Sequence, residues 1–346
     1  MYKIEDIKNT IINGDALLEL KKLPSESVDM VITSPPYWNL RDYNVDGQLG
    51  LEPTFYEYIS KLCDIFDDVK RVLKKEGTCW VNLGDTYSGN KEGKTDNKVS
   101  QYLQDTSTNI HKKATITEKC LCQIPSRFGI EMANRGWILR NTIIWHKKNA
   151  MPSSVLDRFT NKYEQVFFFV KNKRYYFDGD SVRIPFETEE YSKAEYRASR
   201  KYKGKMIVEN AESYGSPRAR NSRQYNSGEN TKNRELEEIS IKFGTRRPPG
   251  NDYKRNPLGK NKGDVWTLIS DPFPEAHFAT YPPALIIDMI KSGCPMGGVI
   301  LDPFFGSGTT GLVAKQLDRS FVGIELNPKY IEIAEQRLKT IQDKLF

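Results

Sequence analysis

A serine, two prolines and a tyrosine directly follow an apolar segment and could bind a planar base. Val28 to Thr33 reads as a buried strand, and Ser34-Pro35-Pro36-Tyr37 forms its exit. Because proline fixes φ and donates no backbone hydrogen bond, this exit is stiff and carries fixed carbonyl acceptors. The Ser34 hydroxyl and the Pro35 carbonyl could accept from an exocyclic amine while Tyr37 stacks on the ring. Taken alone, the segment fits a proline-rich surface turn equally well.

A second segment, near the C-terminus, is typical of a cofactor-binding turn. The apolar residues Val299 to Leu301 lead into Asp302-Pro303-Phe304-Phe305-Gly306-Ser307-Gly308-Thr309-Thr310. This order predicts a buried strand, a glycine-rich turn and a helix that begins near Thr309. Glycines allow close approach of the backbone to a ligand, and the start of a helix offers free N–H groups.

The next apolar segment ends in an acid that suits a ribose. Phe321 to Ile324 precedes Glu325, and an acid about 20 residues past a glycine turn can accept hydrogen bonds from ribose hydroxyls. The turn lacks the third glycine of a dinucleotide fingerprint and the lysine of a P-loop. The sequence therefore predicts a cofactor that contains a nucleoside.

Together, these motifs resemble those of the DNA amino-methyltransferases that use S-adenosyl-L-methionine, in the subgroup whose catalytic motif precedes the cofactor motif. The resemblance covers about residues 10–178 and 263–342, and its further motifs are Asn13-Gly14-Asp15 and His277-Phe278-Ala279-Thr280-Tyr281-Pro282. It implies catalytic roles for Ser34, Pro35, Pro36 and Tyr37, and no metal. It implies that the cofactor is bound by Asp15, Phe278, Thr280, Asp302, Pro303, Phe304, Gly306, Ser307, Gly308, Thr309 and Glu325.

The implied reaction is methylation of an exocyclic amine on a base that has left the duplex. Hydrogen bonds to the Ser34 hydroxyl and the Pro35 carbonyl would draw the amine nitrogen toward tetrahedral geometry and free its lone pair. Most of the acceleration would come from positioning and preorganised acceptors. Residues 82–85, Asn-Leu-Gly-Asp, either line the same pocket or form a turn.

The resemblance also implies a role for each cofactor contact. The turn from Phe304 to Thr309 would surround the methionine part, Glu325 would bind the ribose, and Asp15 would meet the adenine amine. Phe278 and Thr280 would close the pocket. Asp15 is equally suited to cap the helix that follows it.

The identity of the methylated base rests on the first residue of the catalytic motif. Family members with serine there, like Ser34, tend to act on cytosine N4 and those with aspartate on adenine N6, so cytosine N4 is favoured and adenine N6 is the alternative. Methylation of cytosine C5 would need a Pro-Cys pair, and only the reverse order, Cys294-Pro295, occurs. A nicotinamide-dependent oxidoreductase, an enzyme acting on a protein glutamine or an RNA amine, and a silent DNA-binding module remain alternatives.

Alternating strands and helices predict an α/β fold with a doubly wound, mostly parallel sheet. The resemblance makes this a Rossmann-like methyltransferase fold in circularly permuted order. The first strand and the strand before Glu325 should be neighbours, and Asp15, Ser34, Asp302 and Glu325 should meet at the carboxyl ends of the strands. Further predicted elements are strands at 10–13, 78–83, 137–145 and 164–170, a helix after Thr54 that Gly77 ends, a helix at 124–135, a strand at 174–177 and a helix from Pro328 to about Ile341.

A basic region separates the two groups of motifs. Residues 197–262 contain 17 Lys or Arg and 7 Asp or Glu, and tyrosines are interleaved with them. This composition predicts contact with double-stranded DNA, and a solvated basic linker is the alternative. We expect a catalytic half at 1–178 with a polar loop at 88–118, a DNA target-recognition region at 179–262 and a cofactor-binding half at 263–346.

The net charge of +7 and the pI of about 8.9 favour a polyanionic partner. Five scattered cysteines exclude a disulfide framework, and Cys120-x-Cys122 lacks the second pair of a zinc site. No apolar run approaches the ~20 residues that span a bilayer, and no signal peptide is visible, so we expect a cytoplasmic protein. A cognate restriction endonuclease is a candidate partner, and the protein is expected to be a monomer or a homodimer.

Overall fold

A mixed sheet organises the chain. The computed structural model describes residues 1–43, 45–88, 116–150, 153–186, 256–269 and 281–342. Its eight described strands lie in the order β1-β8-β7-β2-β3-β5-β4-β6. Among these strands, only β5 is antiparallel to its neighbours. The strands are β1 (Thr10–Asn13), β2 (Val28–Thr33), β3 (Leu73–Leu83), β4 (Ile138–Lys147), β5 (Tyr163–Val170), β6 (Val265–Leu268), β7 (Val299–Asp302) and β8 (Ser320–Glu325).

Helices cover both faces of this sheet, as a doubly wound fold requires. One hydrophobic core packs under α2, α3 and α4, and the other packs under α5, α6 and α7. The helices are α1 (Ile4–Ile7), α2 (Ala16–Lys22), α3 (Phe55–Val72), α4 (Ile124–Asn134), α5 (Pro283–Gly293), α6 (Thr309–Gln316) and α7 (Pro328–Gln342), and Asp180–Val182 forms a 3₁₀ turn. The predicted α/β fold class is confirmed.

The first and the last described strand along the chain, β1 and β8, are adjacent in the sheet, which confirms the predicted pairing. β1 runs parallel to β8, and Asn13 lies opposite Glu325. The Gly14 amide donates to the Glu325 carbonyl oxygen at 3.0 Å. Since β1, β8, β7, β2 and β3 are mutually parallel, their carboxyl ends share one edge.

The predicted end of α3 at Gly77 is wrong. Thr54 does cap the helix, with its hydroxyl oxygen accepting from the Glu57 amide at 3.2 Å. The helix ends at Val72 and β3 begins at Leu73, where the pairing with β2 is irregular. A Cβ on Gly77 would lie 2.6 Å from the Leu73 side chain, so the glycine serves close packing inside this strand rather than a helix end.

A further strand was expected at residues 174–177, and this prediction is wrong too. Only the Tyr176 amide reaches β3, donating to the Glu76 carbonyl at 2.8 Å. Aromatic packing replaces a ladder: the Tyr175 and Phe177 rings lie 5.8 and 5.7 Å from the Phe168 ring, centroid to centroid. The strand predicted at 78–83 begins five residues earlier, at Leu73. The other predicted elements differ from the structure by at most two residues at their ends.

Two compact units are present. One comprises Met1–Val182 and Asn261–Phe346, and the other comprises Arg183–Lys260. In the second unit, the described residues Ile184 and Lys260 form an antiparallel bridge with two hydrogen bonds of 2.9 Å. Residues 197–255 of the predicted basic region and residues 89–115 of the predicted loop lie outside the described residues. No helix in the described ranges combines the length and apolarity needed to cross a membrane.

Gly323 gives a test of the packing beneath the glycine-rich turn. A Cβ at this position would lie 2.5 Å from the buried Phe305 ring, which stacks on Phe321. We expect Gly323→Ala to lower the free energy of unfolding by about 2 kcal/mol, because a rigid ring must move. Gly263→Ala is the matched control, since nothing lies within 4 Å of its added carbon. Urea unfolding of both variants checks this, and equal stabilities would contradict it.

Candidate functional site

A cavity of about 390 Å³ lies at the carboxyl edge of the sheet, within the size range of small-molecule sites. It brings the two predicted motifs together, although they are far apart in the chain. Of the predicted site residues, it is lined by Asp15, Ser34, Pro35, Pro36, Tyr37, Pro303, Phe304, Gly306, Ser307, Thr309 and Glu325.

The other four predicted site residues are not among those that line the cavity. Asp302 is buried below the turn, and Gly308 precedes α6 with a φ of +82°. A Cβ on Gly308 would lie 2.8 Å from the Ala334 side chain, so the glycine allows close packing against α7. Phe278 and Thr280 lie outside the described residues.

The Asp302 carboxylate binds groups from several segments. Its Oδ1 accepts from the Thr33 hydroxyl at 2.6 Å and the Phe304 amide at 3.1 Å. Its Oδ2 accepts from the Thr310 hydroxyl at 2.6 Å and the Tyr281 hydroxyl at 3.2 Å. Tyr281 and Thr310 also hydrogen-bond each other. The carboxylate therefore joins the ends of β2 and β7 to the start of α6.

Burial dominates the electrostatics of this network. It raises the pKa of the Asp302 carboxyl above its usual value, and the hydrogen bonds from Thr310 and Thr33 oppose that rise. Burial, with the Asp302 charge, holds the pKa of Tyr281 well above its usual value. Tyr281 therefore stays a neutral donor to the carboxylate.

The glycine-rich turn is fixed by Glu325 and leaves open space above it. The Gly306 amide donates to Glu325 Oε2 at 2.7 Å, and the Asn327 amide donates to Oε1 at 2.8 Å. Burial raises the pKa of the Glu325 carboxyl, and these amides oppose the rise. A Cβ on Gly306, at a φ of +53°, would meet only the Phe304 carbonyl oxygen at 4.0 Å. Each Glu325 oxygen retains acceptor capacity for a ligand hydroxyl.

Asp15 both caps a helix and lines the cavity. Its Oδ1 accepts from the Leu18 amide at 2.9 Å and so caps α2. The residue also lines the cavity, beside Gly14.

Tyr37 is held by a polar cluster at the end of β3 and the start of β5. Its hydroxyl donates to Glu164 Oε2 at 2.7 Å. The Asn82 amide donates to the Tyr37 oxygen at 2.8 Å and to the same Glu164 oxygen at 2.9 Å. Lys147 forms an ion pair with the other Glu164 oxygen. Longer contacts of 3.4 and 3.5 Å join the Ser34 hydroxyl to Asn82 and Tyr37.

This cluster fixes both the position and the charge of the Tyr37 ring. A Cβ on Gly84 would lie 2.5 Å from the ring, so the glycine allows the close contact. Burial and the Glu164 charge raise the pKa of Tyr37 well above its usual value. The ring therefore presents a neutral, immobile face. The neighbouring Pro36 carbonyl accepts from the Tyr58 hydroxyl at 2.8 Å, which further stiffens the motif.

Several site residues were missed by sequence reasoning. Glu164 lies at the start of a predicted strand, and only its charge could have pointed to a role. Tyr281 belongs to the motif at 277–282, in which only Phe278 and Thr280 were predicted to bind the cofactor.

The loop after the catalytic motif also lines the cavity. There the Tyr43 amide donates to the Gln48 side chain at 2.7 Å, and the Tyr43 ring lies 6.1 Å from the Tyr330 ring.

Among the described residues, no cluster of His, Cys, Asp or Glu could hold a metal ion. All five cysteines are free. None of them lines the cavity.

A family model and several characterised proteins match most of this chain. A model of N6 and N4 methyltransferases, described as a DNA methylase, matches residues 28–336. Type II methyltransferase M.Cfr9I of Citrobacter freundii is 36% identical over 331 residues, which are 95% of this chain and 87% of that protein. Type II methyltransferase M.SmaI of Serratia marcescens is 34% identical over 334 residues, 95% of this chain and 90% of that protein.

Solved structures share the fold at lower identity. The cytosine-N4-specific PvuII DNA methyltransferase aligns with a TM-score of 0.55 and 20% identity, over 95% of this chain and 86% of that one. The TTHA0409 protein of Thermus thermophilus, in complex with S-adenosyl-L-methionine, aligns with a TM-score of 0.50 and 20% identity, over 95% and 93% of the two chains.

The reactivity of the cysteines provides a test of their burial in the fold. Burial raises the pKa of Cys63 and Cys294 to about 12 and that of Cys122 to about 11, and it also raises the pKa of Cys79. Because the thiolate is the reactive form, we expect a disulfide reagent at pH 8 to modify the exposed Cys120 rapidly and the other four only after unfolding. Rapid modification of two or more thiols in the folded protein would contradict this. Denatured protein, in which all five should react, is the control.

Proposed function

The chain belongs to the DNA methylase family of N6 and N4 amino-methyltransferases, and on this premise we propose that it methylates the N4 amine of cytosine in double-stranded DNA. S-adenosyl-L-methionine supplies the methyl group. The observation that carries the proposal is the shared cavity, which is lined both by the Ser34-Pro35-Pro36-Tyr37 motif and by Gly306 with Glu325. A base and a methyl donor bound to these two motifs would meet within one enclosed space.

Ser34 and Pro35 act on the amine of the base. Both residues line the cavity. Their hydroxyl and carbonyl oxygens are acceptors, and an exocyclic amine has two N–H donors to offer. Hydrogen bonding to both draws the nitrogen out of conjugation and exposes its lone pair. The acceptors are preorganised, because the prolines stiffen the backbone and Asn82 contacts the Ser34 hydroxyl.

Tyr37 holds the base by stacking. The hydrogen bond to Glu164 and the contact with Gly84 fix its ring before substrate binds. A ring that is already ordered loses little side-chain entropy on binding, which favours a single orientation of the base.

The residues of the second motif fit the cofactor. The α-carbon of Gly306 faces open cavity, which leaves room for the methionine part beside Pro303, Phe304, Ser307 and Thr309. Glu325 and Asp15 supply carboxylates for the ribose and the adenine amine. Phe278 and Thr280 remain proposed contacts on the strength of their motif, whereas Asp302 and Gly308 act by holding the turn.

Cytosine is preferred over adenine because serine is the first residue of the catalytic motif. The cytosine-N4-specific PvuII enzyme has a similar fold. Methylation of adenine N6 is the second candidate. The type II names of M.Cfr9I and M.SmaI support a place beside a restriction endonuclease. The basic composition of residues 197–262 supports target recognition by the unit Arg183–Lys260.

Nucleoside mass spectrometry tests the proposed product. DNA from cells that express the protein should contain N4-methylcytosine, which is absent from cells that carry the empty vector. N6-methyladenine instead would select the second candidate. If neither appears while the purified protein binds S-adenosyl-L-methionine, the proposal of a DNA substrate is wrong.

Variants of the catalytic motif test the assignment of roles. Tyr37→Ala and Pro35→Ala should abolish the methylated base, because the first removes stacking and the second removes the proline ring that fixes the backbone beside the carbonyl acceptor. Cofactor affinity should be unchanged by calorimetry, since neither residue belongs to the cofactor motif. Tyr56→Ala, at an exposed position of α3, is the control and should methylate normally. Full activity of either motif variant would refute the base-site assignment.

A further inference from the structure

We propose that Phe159 enters the DNA duplex and fills the space vacated by the target base. The inference rests on the proposed function, because it requires a base that leaves the stack. The occupant of this surface is therefore DNA, and the contact is an apolar ring inserted between base steps.

Phe159 lies on a loop at the correct edge of the sheet. β4 ends at Lys147 and β5 begins at Tyr163. β5 is antiparallel to both β3 and β4. The loop that joins β4 to β5 therefore lies at the same edge of the sheet as the carboxyl end of β3. This is the edge that carries the cavity.

The ring is exposed in a way that packing does not explain. The Phe159 side chain is 96% exposed and Leu156 is 100% exposed. By contrast, the consecutive phenylalanines of β5, Phe167 to Phe169, are all buried. Two large apolar side chains exposed within four residues of one loop leave an apolar surface available for contact with a partner.

The backbone around Phe159 is anchored on both sides. The Arg158 guanidinium lies 3.9 Å from the centroid of the Tyr87 ring, and the Tyr87 hydroxyl donates to Asn161 Oδ1 at 3.2 Å. Arg158 also donates to the Phe159 carbonyl at 3.2 Å, and Lys119 pairs with Asp157 at 2.9 Å. The loop is therefore braced while the ring itself projects into solvent.

The contacts on both sides of Phe159 involve residues close in the chain to Gly84 and Glu164, which contact Tyr37. Tyr87 is three positions after Gly84, which packs on the Tyr37 ring. At the other end, the Lys162 carbonyl accepts from the Lys147 amide at 2.7 Å, and Glu164 follows two positions later. A wedge on this loop would be mechanically connected to the pocket that receives the base.

The charge of the loop suits a polyanion. The loop residues 148–162 contain three Lys or Arg and one Asp. Cations beside an apolar ring match the pattern of proteins that bind phosphates while inserting a wedge between bases. Phe159 is preferred to Leu156 because its flat ring can stack on the bases that remain and because the anchors flank it.

Two duplexes separate a wedge from a general DNA contact. Wild-type protein first identifies a methylated site, and this site is then synthesised either fully paired or with an abasic position opposite the target base. On the paired duplex, Phe159→Ala should lower the methylation rate about 10- to 100-fold, because help with unstacking is lost. On the abasic duplex its rate should be within about twofold of wild type, because the target is already unpaired.

Matched variants sharpen the comparison. Phe159→Leu should retain most of the rate on the paired duplex, since an apolar wedge remains. Met296→Ala removes a side chain that is 73% exposed in the loop before β7, at the opposite edge, and should match wild type on both duplexes. Equal S-adenosyl-L-methionine affinity verifies that each variant is folded.

Two results would overturn the wedge alone: a wild-type rate for Phe159→Ala on the paired duplex, or an equal loss on both duplexes. If wild-type protein methylates neither genomic DNA nor any duplex, the proposed function fails and the wedge falls with it.

Discussion

One buried carboxylate, that of Asp302, fixes the distance between the two halves of the site. It lies outside the cavity, and its two oxygens accept from Thr33 on one side and from Thr310 and Tyr281 on the other. A carboxylate removed from water is costly unless hydrogen bonds satisfy it, so these segments are held together. Because Thr33 precedes Ser34, the base acceptors and the cofactor turn cannot move independently.

A second polar cluster serves the base side alone. Glu164 of β5 and Asn82 of β3 hydrogen-bond the Tyr37 hydroxyl, and Lys147 of β4 pairs with Glu164. Positioning rather than proton transfer is the contribution of these groups, since burial keeps Tyr37 neutral. The two clusters together explain how a motif with only a weakly basic serine can favour reaction of an amine: orientation is fixed before the substrate arrives.

Local sequence patterns predicted much of the fold and both motifs of the site. The exit of β2, the glycine-rich turn and the adjacency of β1 with β8 each follow from short-range residue types and from the rules of parallel sheets. The contacts between residues far apart in the chain could not be predicted from such patterns. Glu164 meets Tyr37 across 127 positions, through an antiparallel strand whose place the alternation rule does not specify. Gly77 misled because a glycine that ends a helix and one that permits close packing in a strand are alike in sequence.

Thr33→Val tests the central claim most directly, because it removes the hydroxyl bound to Asp302 while keeping nearly the same shape. We predict that S-adenosyl-L-methionine binds about tenfold more weakly by calorimetry, the effect of losing one hydrogen bond to a buried charge, although Thr33 does not line the cavity. Thr267→Val, on the edge strand β6, should leave the affinity unchanged. Unaltered cofactor affinity in a folded Thr33→Val protein would contradict the account.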